Sequence, residues 1–296
     1  MTIYEPVVGR YTTVEVLGEP QRIYVEESGS GTPVVCLHTA GADARQYRHL
    51  QNDPEVLERF RVIAFDLPWH GKSLPPEGWW GREYLLTAEA YVATVMAVIR
   101  RLELEQPIVV GCSMAGSLVL ELARTHDAEI GGVIGFSGAA TVHGRFQDWP
   151  LAPDVNSNQV VPSWIYGLMA PQSPLQARKE QWWIYSQGGP GIYRGDTFFY
   201  SKGLDLSGRE HEIDTAACPV HLYTGEYDYA CSAEETEQTL ARIPGAKGGR
   251  MSGIGHFPVS ENYPLCRQYL WPALQEIAET RARSLQSSDE GAGTPE

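Results

Sequence analysis

Residues 107–116 read PIVVGCSMAG, and this stretch decides the fold. A short apolar, β-branched run is followed by glycine, cysteine, Ser113, methionine and alanine, and a helical pattern begins at Met114. The pattern predicts a buried strand, a very tight turn and a helix, with the serine on the turn. Large side chains two positions either side would collide, which explains Gly111 and Ala115. The serine also stands at a helix N-terminus, where N–H groups stabilise developing negative charge.

Strand and helix patterns alternate outward from this turn. Unbroken apolar runs predict strands buried on both faces at 33–37, 61–65 and 107–110. Alternating residues predict an antiparallel pair, 11–16 with 22–26, near a sheet edge. The remaining predictions are helices over 87–102, 114–124, 233–242 and 263–283, and strands over 130–136, 219–224 and 249–251. The sequence therefore predicts an α/β protein with a mostly parallel twisted sheet flanked by helices.

The alternation stops after Ser137. From 138 to about 212 the strand signal is weak, whereas Pro, Gly and aromatic residues are frequent. Long inserted segments of this kind are usually functional lids. We therefore expect a core of residues 1–137 and 213–284, with a helical cap of residues 138–212 inserted after the sixth strand. Residues 285–296, rich in Ser, Gly and acid, are expected to form a disordered tail.

Composition and charge exclude several classes of protein. The 296 residues are 43% hydrophobic and 20% charged, which is ordinary for a soluble domain, and the formal net charge is −14. This acidic balance argues against nucleic-acid and membrane partners. No apolar run approaches the roughly 20 residues needed to cross a bilayer, and no secretory signal is visible. The five scattered cysteines predict reduced thiols and a cytoplasmic location.

Two later segments supply partners for the serine. A serine hydroxyl is a poor nucleophile and needs a base, which in turn needs an orienting acid. One segment is a strand followed by a loop carrying Glu226 and Asp228, and the other is the glycine-rich loop 252–258 with His256. The order serine, acid, histidine fits a serine turn of this type. The alternative interpretation is that Ser113 merely caps a helix.

Four motifs lie in order along the chain: residues 38–41 (HTAG), 65–73 (FDLPWHGKS), the serine turn, and 225–228 (GEYD) with Gly255 and His256. Through them the chain resembles the α/β-hydrolase superfamily over roughly residues 13–271, excluding the cap. It looks most like the cofactor-free, helical-capped branch of esterases, lactonases and carbon–carbon hydrolases. The resemblance implies that Ser113 is the nucleophile and His256 the general base and then acid. It also implies that Asp228 is the orienting acid, with Glu226 as the competitor for that role.

The resemblance also implies an oxyanion hole with two backbone donors. The Met114 amide is one of them, and the other belongs to the loop at residues 38–41. The family commonly has H-G-x-G there, whereas this chain has a threonine at the second position. We expect Ala40 to supply the second N–H, with Thr39 as the alternative.

The chain also departs from a second family pattern, D-x-P-G-x-G-x-S. Residues 66–73 read DLPWHGKS, so Trp69 and His70 stand before Gly71. We expect this bulky pair to pack and to shape its loop. The histidines lack metal-ligand spacing, and neither a dinucleotide-binding nor a Walker A motif is present. The sequence therefore predicts neither a metal site nor a cofactor.

The aromatic content of the cap predicts a pocket for a small hydrophobic or aromatic carbonyl substrate. The candidate lining residues, which could equally pack on one another, are Trp149, Trp164, Trp182, Trp183 and Tyr185. We expect a serine hydrolase that acts on an ester or lactone. A homodimer is compatible with the sequence. The alternatives are carbon–carbon hydrolysis, acyl transfer to another acceptor, cofactor-free oxygenation, or a ligand-binding receptor with a retained hydrolase site.

Overall fold

Eight strands form one sheet within residues 3–291, the part of the chain that the structure, a computed structural model, describes. They are β1 (Val8–Val16), β2 (Glu19–Gly29), β3 (Thr32–Leu37), β4 (Phe60–Phe65), β5 (Ile108–Cys112), β6 (Gly132–Phe136), β7 (Val220–Gly225) and β8 (Lys247–Met251). Their order is β1-β2-β4-β3-β5-β6-β7-β8. The β1–β2 and β2–β4 pairs are antiparallel and the others are parallel. The predicted, mostly parallel sheet is therefore confirmed.

Helices connect and flank the strands. They are α1 (Pro54–Leu57), α2 (Ala88–Arg101), α3 (Met114–Thr125), α4 (Ser157–Tyr166), α5 (Leu175–Tyr185), α6 (Ile192–Phe198), α7 (Ala233–Leu240), α8 (Pro258–Glu261) and α9 (Tyr263–Gly291). Helix α2 begins where predicted, because the Thr87 hydroxyl accepts a hydrogen bond from the Ala90 N–H. Within residues 3–291, no helix combines the length and the apolar character that crossing a membrane requires.

The last helix differs from its prediction. The composition predicts a tail from residue 285, but α9 continues to Gly291. A helix that has already formed adds one hydrogen bond for each further residue, so it can extend into a polar stretch. Residues 292–296 of the predicted tail lie outside the described residues.

The apolar core lies on both faces of the sheet. In β5, Val109 packs into the layer that contains Leu118 of α3, whereas Val110 packs into the layer that contains Leu274 of α9. These side chains are fully buried. Successive residues of a strand point to opposite faces, so a strand covered on both sides needs an unbroken apolar run. This requirement explains the sequence pattern of the central strands.

The topology gathers one edge of the sheet into a candidate site. Parallel strands end at the same edge, and ligands in open α/β sheets bind there. Ser113 follows β5, Asp228 lies in the loop after β7, and His256 lies in the loop after β8. Helices α4, α5 and α6 come between β6 and β7, in the segment predicted as the cap (residues 138–212).

Candidate active site

Ser113 occupies a strained turn between β5 and α3. Its backbone angles are φ 61° and ψ −121°, a left-handed conformation that is uncommon for a residue with a side chain. The Ser113 N–H donates to the Phe136 carbonyl at 2.8 Å, which ties the turn to the end of β6. A side chain at Gly111 would overlap the backbone carbonyl of Ala115. The sequence therefore folds tightly here because the residue two positions before the serine is glycine.

The Ser113 hydroxyl contacts His256 and, through it, Asp228. Ser113 Oγ lies 2.8 Å from His256 Nε2, although 143 positions separate the two residues. On the other side of the ring, Nδ1 lies 2.8 and 2.9 Å from the two Asp228 oxygens. The carboxylate makes Nδ1 the protonated nitrogen, so Nε2 is free to accept the serine proton. The residues are 4%, 3% and 6% exposed, respectively.

The two candidate acids have different surroundings. Asp228 Oδ1 also accepts the amides of Ala230 and Cys231 at 2.8 and 3.0 Å, and these bonds fix the carboxylate. Glu226 is exposed and accepts the Gly253 amide at 2.9 Å. The structure therefore brings Asp228 to the histidine and places Glu226 in a surface contact.

The backbone amides predicted as oxyanion donors differ in whether they are already hydrogen-bonded. Within the described residues, the N–H groups of Met114 and Ala40 have no hydrogen-bond partner. The amide of Thr39 donates to Gln46 Oε1 at 2.9 Å, and that of Gly41 donates to Asp196 Oδ2 at 2.7 Å. Of the two predicted donors in this loop, Ala40 is available and Thr39 is already engaged.

A neutral, buried histidine holds the same loop. His38 Nδ1 donates to the Thr39 carbonyl at 2.9 Å, and Nε2 accepts the Leu67 amide at 3.1 Å. Burial, with a contribution from nearby His70, lowers the pKa of His38 to about 4. His38 therefore joins the loops after β3 and β4 as a neutral imidazole.

His70 forms a buried ion pair with Asp196 of α6. His70 Nε2 lies 2.8 Å from Asp196 Oδ2, and Nδ1 lies 2.9 Å from the Pro68 carbonyl. Both ring nitrogens face acceptors, so the ring is charged when both bonds form. Burial opposes that charge, but the Asp196 carboxylate outweighs it and raises the pKa of His70. The sequence context predicts only packing and loop shaping for His70, whereas in the structure it also forms an ion pair with α6.

Comparison with known proteins agrees with this fold. The family model of the alpha/beta hydrolase fold matches residues 32–178. The chain belongs to the α/β-hydrolase superfamily. AB hydrolase superfamily protein YisY of Bacillus subtilis (strain 168) is 32% identical over 145 residues, which is 48% of this chain and 50% of YisY. The 2-hydroxymuconate semialdehyde hydrolase of Pseudomonas sp. (strain CF600) is 28% identical over 42% of this chain and 41% of that enzyme. The chain spans about half or less of the length of these curated relatives.

Solved structures share the fold of this α/β-hydrolase over nearly its whole length. A thermophilic esterase from Thermogutta terrifontis has a TM-score of 0.78 at 17% identity, covering 90% of this chain and 99% of the esterase. The enol-lactonase from Burkholderia xenovorans LB400 has a TM-score of 0.71 at 16% identity, covering 92% of this chain and 100% of the lactonase. At these identities the likeness concerns the fold alone.

Among the aromatic residues predicted to line a pocket in this α/β-hydrolase, Tyr185 is the one tied to the site. It is buried, and its hydroxyl forms a hydrogen bond with Thr39 Oγ1. Its ring packs edge-on against Phe257 at 5.8 Å, and Phe257 in turn packs edge-on against His256 at 4.8 Å. Tyr185 thus joins the cap segment to both the loop at residues 38–41 and the histidine.

The tryptophans are placed differently. Trp164 and Trp183 are 45% and 58% exposed. Trp164 lines a small cavity together with Trp149, and Trp183 lines a separate cavity beside Arg45, so their role as substrate-pocket residues stays a prediction. Trp149 stacks against Trp164 at 5.9 Å, so these two rings pack on each other. Trp182 is half-buried. The buried face of α5 carries Gln181, Ile184 and Tyr185, which are spaced three and four residues apart, so Trp183 falls on the solvent side.

Sequence reasoning missed Glu261, which holds the histidine loop. This fully buried carboxylate accepts the amides of Gly255 at 2.7 Å and Phe257 at 3.1 Å, on either side of His256. It also accepts the Ala170 amide at 3.2 Å, and burial raises its pKa. The available signal was an acidic residue at the end of the short α8 helix, directly after the histidine loop.

Proposed function

We propose that this chain is a serine hydrolase that cleaves an ester, a lactone or a similar carbonyl compound through an acyl-enzyme. The observation that carries the proposal is the continuous contact from Ser113 Oγ through His256 to Asp228. A nucleophile, a base and an orienting acid are the groups that acyl transfer requires. The unengaged amides of Met114 and Ala40 add two donors for the oxyanion.

The proposed reaction has two halves. Ser113 Oγ attacks the carbonyl carbon while its proton passes to His256 Nε2, and the oxyanion accepts hydrogen bonds from Met114 and Ala40. The tetrahedral intermediate collapses, and His256 gives the proton to the leaving oxygen. Water then loses a proton to His256 and attacks the acyl carbon. As the second tetrahedral intermediate collapses, His256 returns the proton to Ser113 Oγ, which releases the acid and restores the serine. Asp228 stabilises the imidazolium in both halves.

The surroundings of the site favour a hydrophobic or aromatic substrate. Phe257 and Tyr185 belong to a buried apolar cluster that includes Val161 and Ile165 of α4. Such walls bind apolar groups by removing them from water. Ser113 is 4% exposed, so the surrounding residues exclude most bulk water from its side chain. An esterase and an enol-lactonase share this fold, which can therefore support cleavage of the proposed ester or lactone bonds.

The test is turnover of aryl esters with short acyl chains, together with aryl lactones. Wild-type protein should release many equivalents of product, and Ser113→Ala should reduce kcat by at least about 10³-fold with the fold intact. Ser163→Ala, which changes an exposed serine of α4, is the matched control and should leave kcat unchanged. Release of no more than one equivalent by wild-type protein would contradict the proposal and favour the receptor alternative. Label from oxygen gas in the product would instead indicate oxygenation.

A further inference from the structure

We infer that Asp196, which lies in the cap segment, is a positioning residue that holds the oxyanion loop (residues 38–42) in place. The inference rests on the proposed function and concerns a residue that does not touch the reacting atoms. Asp196 lies on α6, between β6 and β7, whereas the loop that it holds follows β3. The two meet only through folding, since 155 positions separate Asp196 from Gly41.

The Asp196 carboxylate gathers three donors from separate stretches of the core. Oδ2 accepts the Gly41 amide at 2.7 Å and His70 Nε2 at 2.8 Å, and Oδ1 accepts the Tyr84 hydroxyl at 2.7 Å. Asp196 is 0% exposed. A buried carboxylate that is fully bonded and charge-paired holds its partners in one geometry, because losing a donor leaves a buried oxygen unsatisfied, and losing His70 leaves the charge unpaired.

A second link from the cap holds the other side of the loop. Thr39 Oγ1 donates to Gln46 Oε1 at 3.0 Å, so it accepts its other hydrogen bond from the Tyr185 hydroxyl on α5. The residues on both sides of Ala40 are therefore fastened to cap helices, Thr39 by Tyr185 and Gly41 by Asp196. Ala40 itself, between them, keeps an unengaged N–H.

This arrangement explains the departure from H-G-x-G at the second position. A glycine there would offer no hydroxyl to Tyr185, whereas threonine extends a polar contact to the cap. An oxyanion donor works only when it lies about 2.7–3.1 Å from the developing charge, and displacements near 1 Å can cost about 10²-fold in rate. The donor is therefore held in place by the contacts that α5 and α6 make with the loop.

The experiment compares Asp196→Asn and Tyr185→Phe with wild type, using Asp148→Asn as the matched control. Asp148 also contacts α6, through Arg194 at 2.8 Å, but the Asp148 side chain itself is exposed. Asp196→Asn should lower kcat for an aryl ester about 10- to 100-fold while KM changes less than about threefold, because the donor acts in the transition state. Tyr185→Phe should give a smaller fall in kcat, and Asp148→Asn none. Hydrogen exchange at the Gly41 amide should accelerate in Asp196→Asn alone.

The outcomes separate this inference from the proposed function. No turnover by wild-type protein overturns the proposed function and the inference together. Turnover by wild type with unchanged kcat and unchanged Gly41 exchange in a folded Asp196→Asn protein overturns the inference alone. If thermal unfolding shows that Asp196→Asn does not fold, Tyr185→Phe decides: an unchanged kcat in that variant contradicts the inference, and a lowered kcat at constant KM supports it.

Discussion

Asp228 Oδ2 and His256 Nδ1 lie 2.8 Å apart in a contact that buries both side chains. Glu226, earlier in the same loop, instead accepts the Gly253 amide at the surface. Two acids that are close in sequence thus have separate roles, one next to the imidazole and one in loop structure. Their separation allows each role to be tested by a change that preserves side-chain shape.

Asp228→Asn should depress turnover, because an amide facing Nδ1 can donate and thereby favour the wrong imidazole tautomer. A fall in kcat of about 10³- to 10⁴-fold is expected by analogy with other serine triads. Glu226→Gln should keep kcat within about threefold, since a surface contact of this kind contributes little. Steady-state kinetics on one aryl ester measures both. An inactive Glu226→Gln beside an active Asp228→Asn would overturn the assignment.

Gly111→Ala should destabilise the protein, because the added Cβ would overlap the backbone of Ala115 in the serine turn. We expect a loss of about 3 kcal/mol or more in the free energy of unfolding, as for other overpacked buried sites. Chemical denaturation measures this loss. Gly81→Ala is the control, since a Cβ there meets nothing within 4 Å. Equal stability of the two variants would show that the turn is not tight.

His38 should make the fold less stable in acid. Its pKa is about 4 in the folded chain, against an ordinary value of 6.5. Between these values the unfolded chain binds a proton that the folded chain does not, so the free energy of unfolding falls as pH falls. The contribution is about 2 kcal/mol between pH 7 and pH 5. Denaturant titrations at both pH values should show a smaller acid loss in His38→Gln than in wild type. Equal losses would contradict the buried, neutral histidine.

Local patterns explain what the sequence could predict. The strands β3, β4 and β5 are short apolar runs because each is covered on both faces, and the serine turn needs small residues at fixed positions. Chain order then indicated Asp228 and His256 as partners for Ser113. The edge strand β1 begins at Val8, earlier than predicted. The sequence did not indicate this start because the first residues of the strand are exposed and lack apolar alternation.

The contacts that hold the site could not be predicted in the same way. His70 and Asp196 are 126 positions apart, and no spacing rule links an acid in an aromatic-rich segment to a histidine in a distant loop. Likewise, composition places tryptophans in the cap segment but does not tell which helix face is buried, and Trp183 lies on the solvent side of α5. Long-range pairing and helix rotation are set by packing, which local patterns do not encode.

The most direct test that Ser113 is an activated nucleophile is mass spectrometry after reaction with an aryl fluorophosphonate. Wild-type protein should gain a single adduct, mapped by peptide analysis to Ser113, while Ser113→Ala gains none. His256→Gln should react at least about 10²-fold more slowly, because the serine proton then lacks its acceptor. An adduct on a different residue, or equal labelling of Ser113→Ala, would contradict the account.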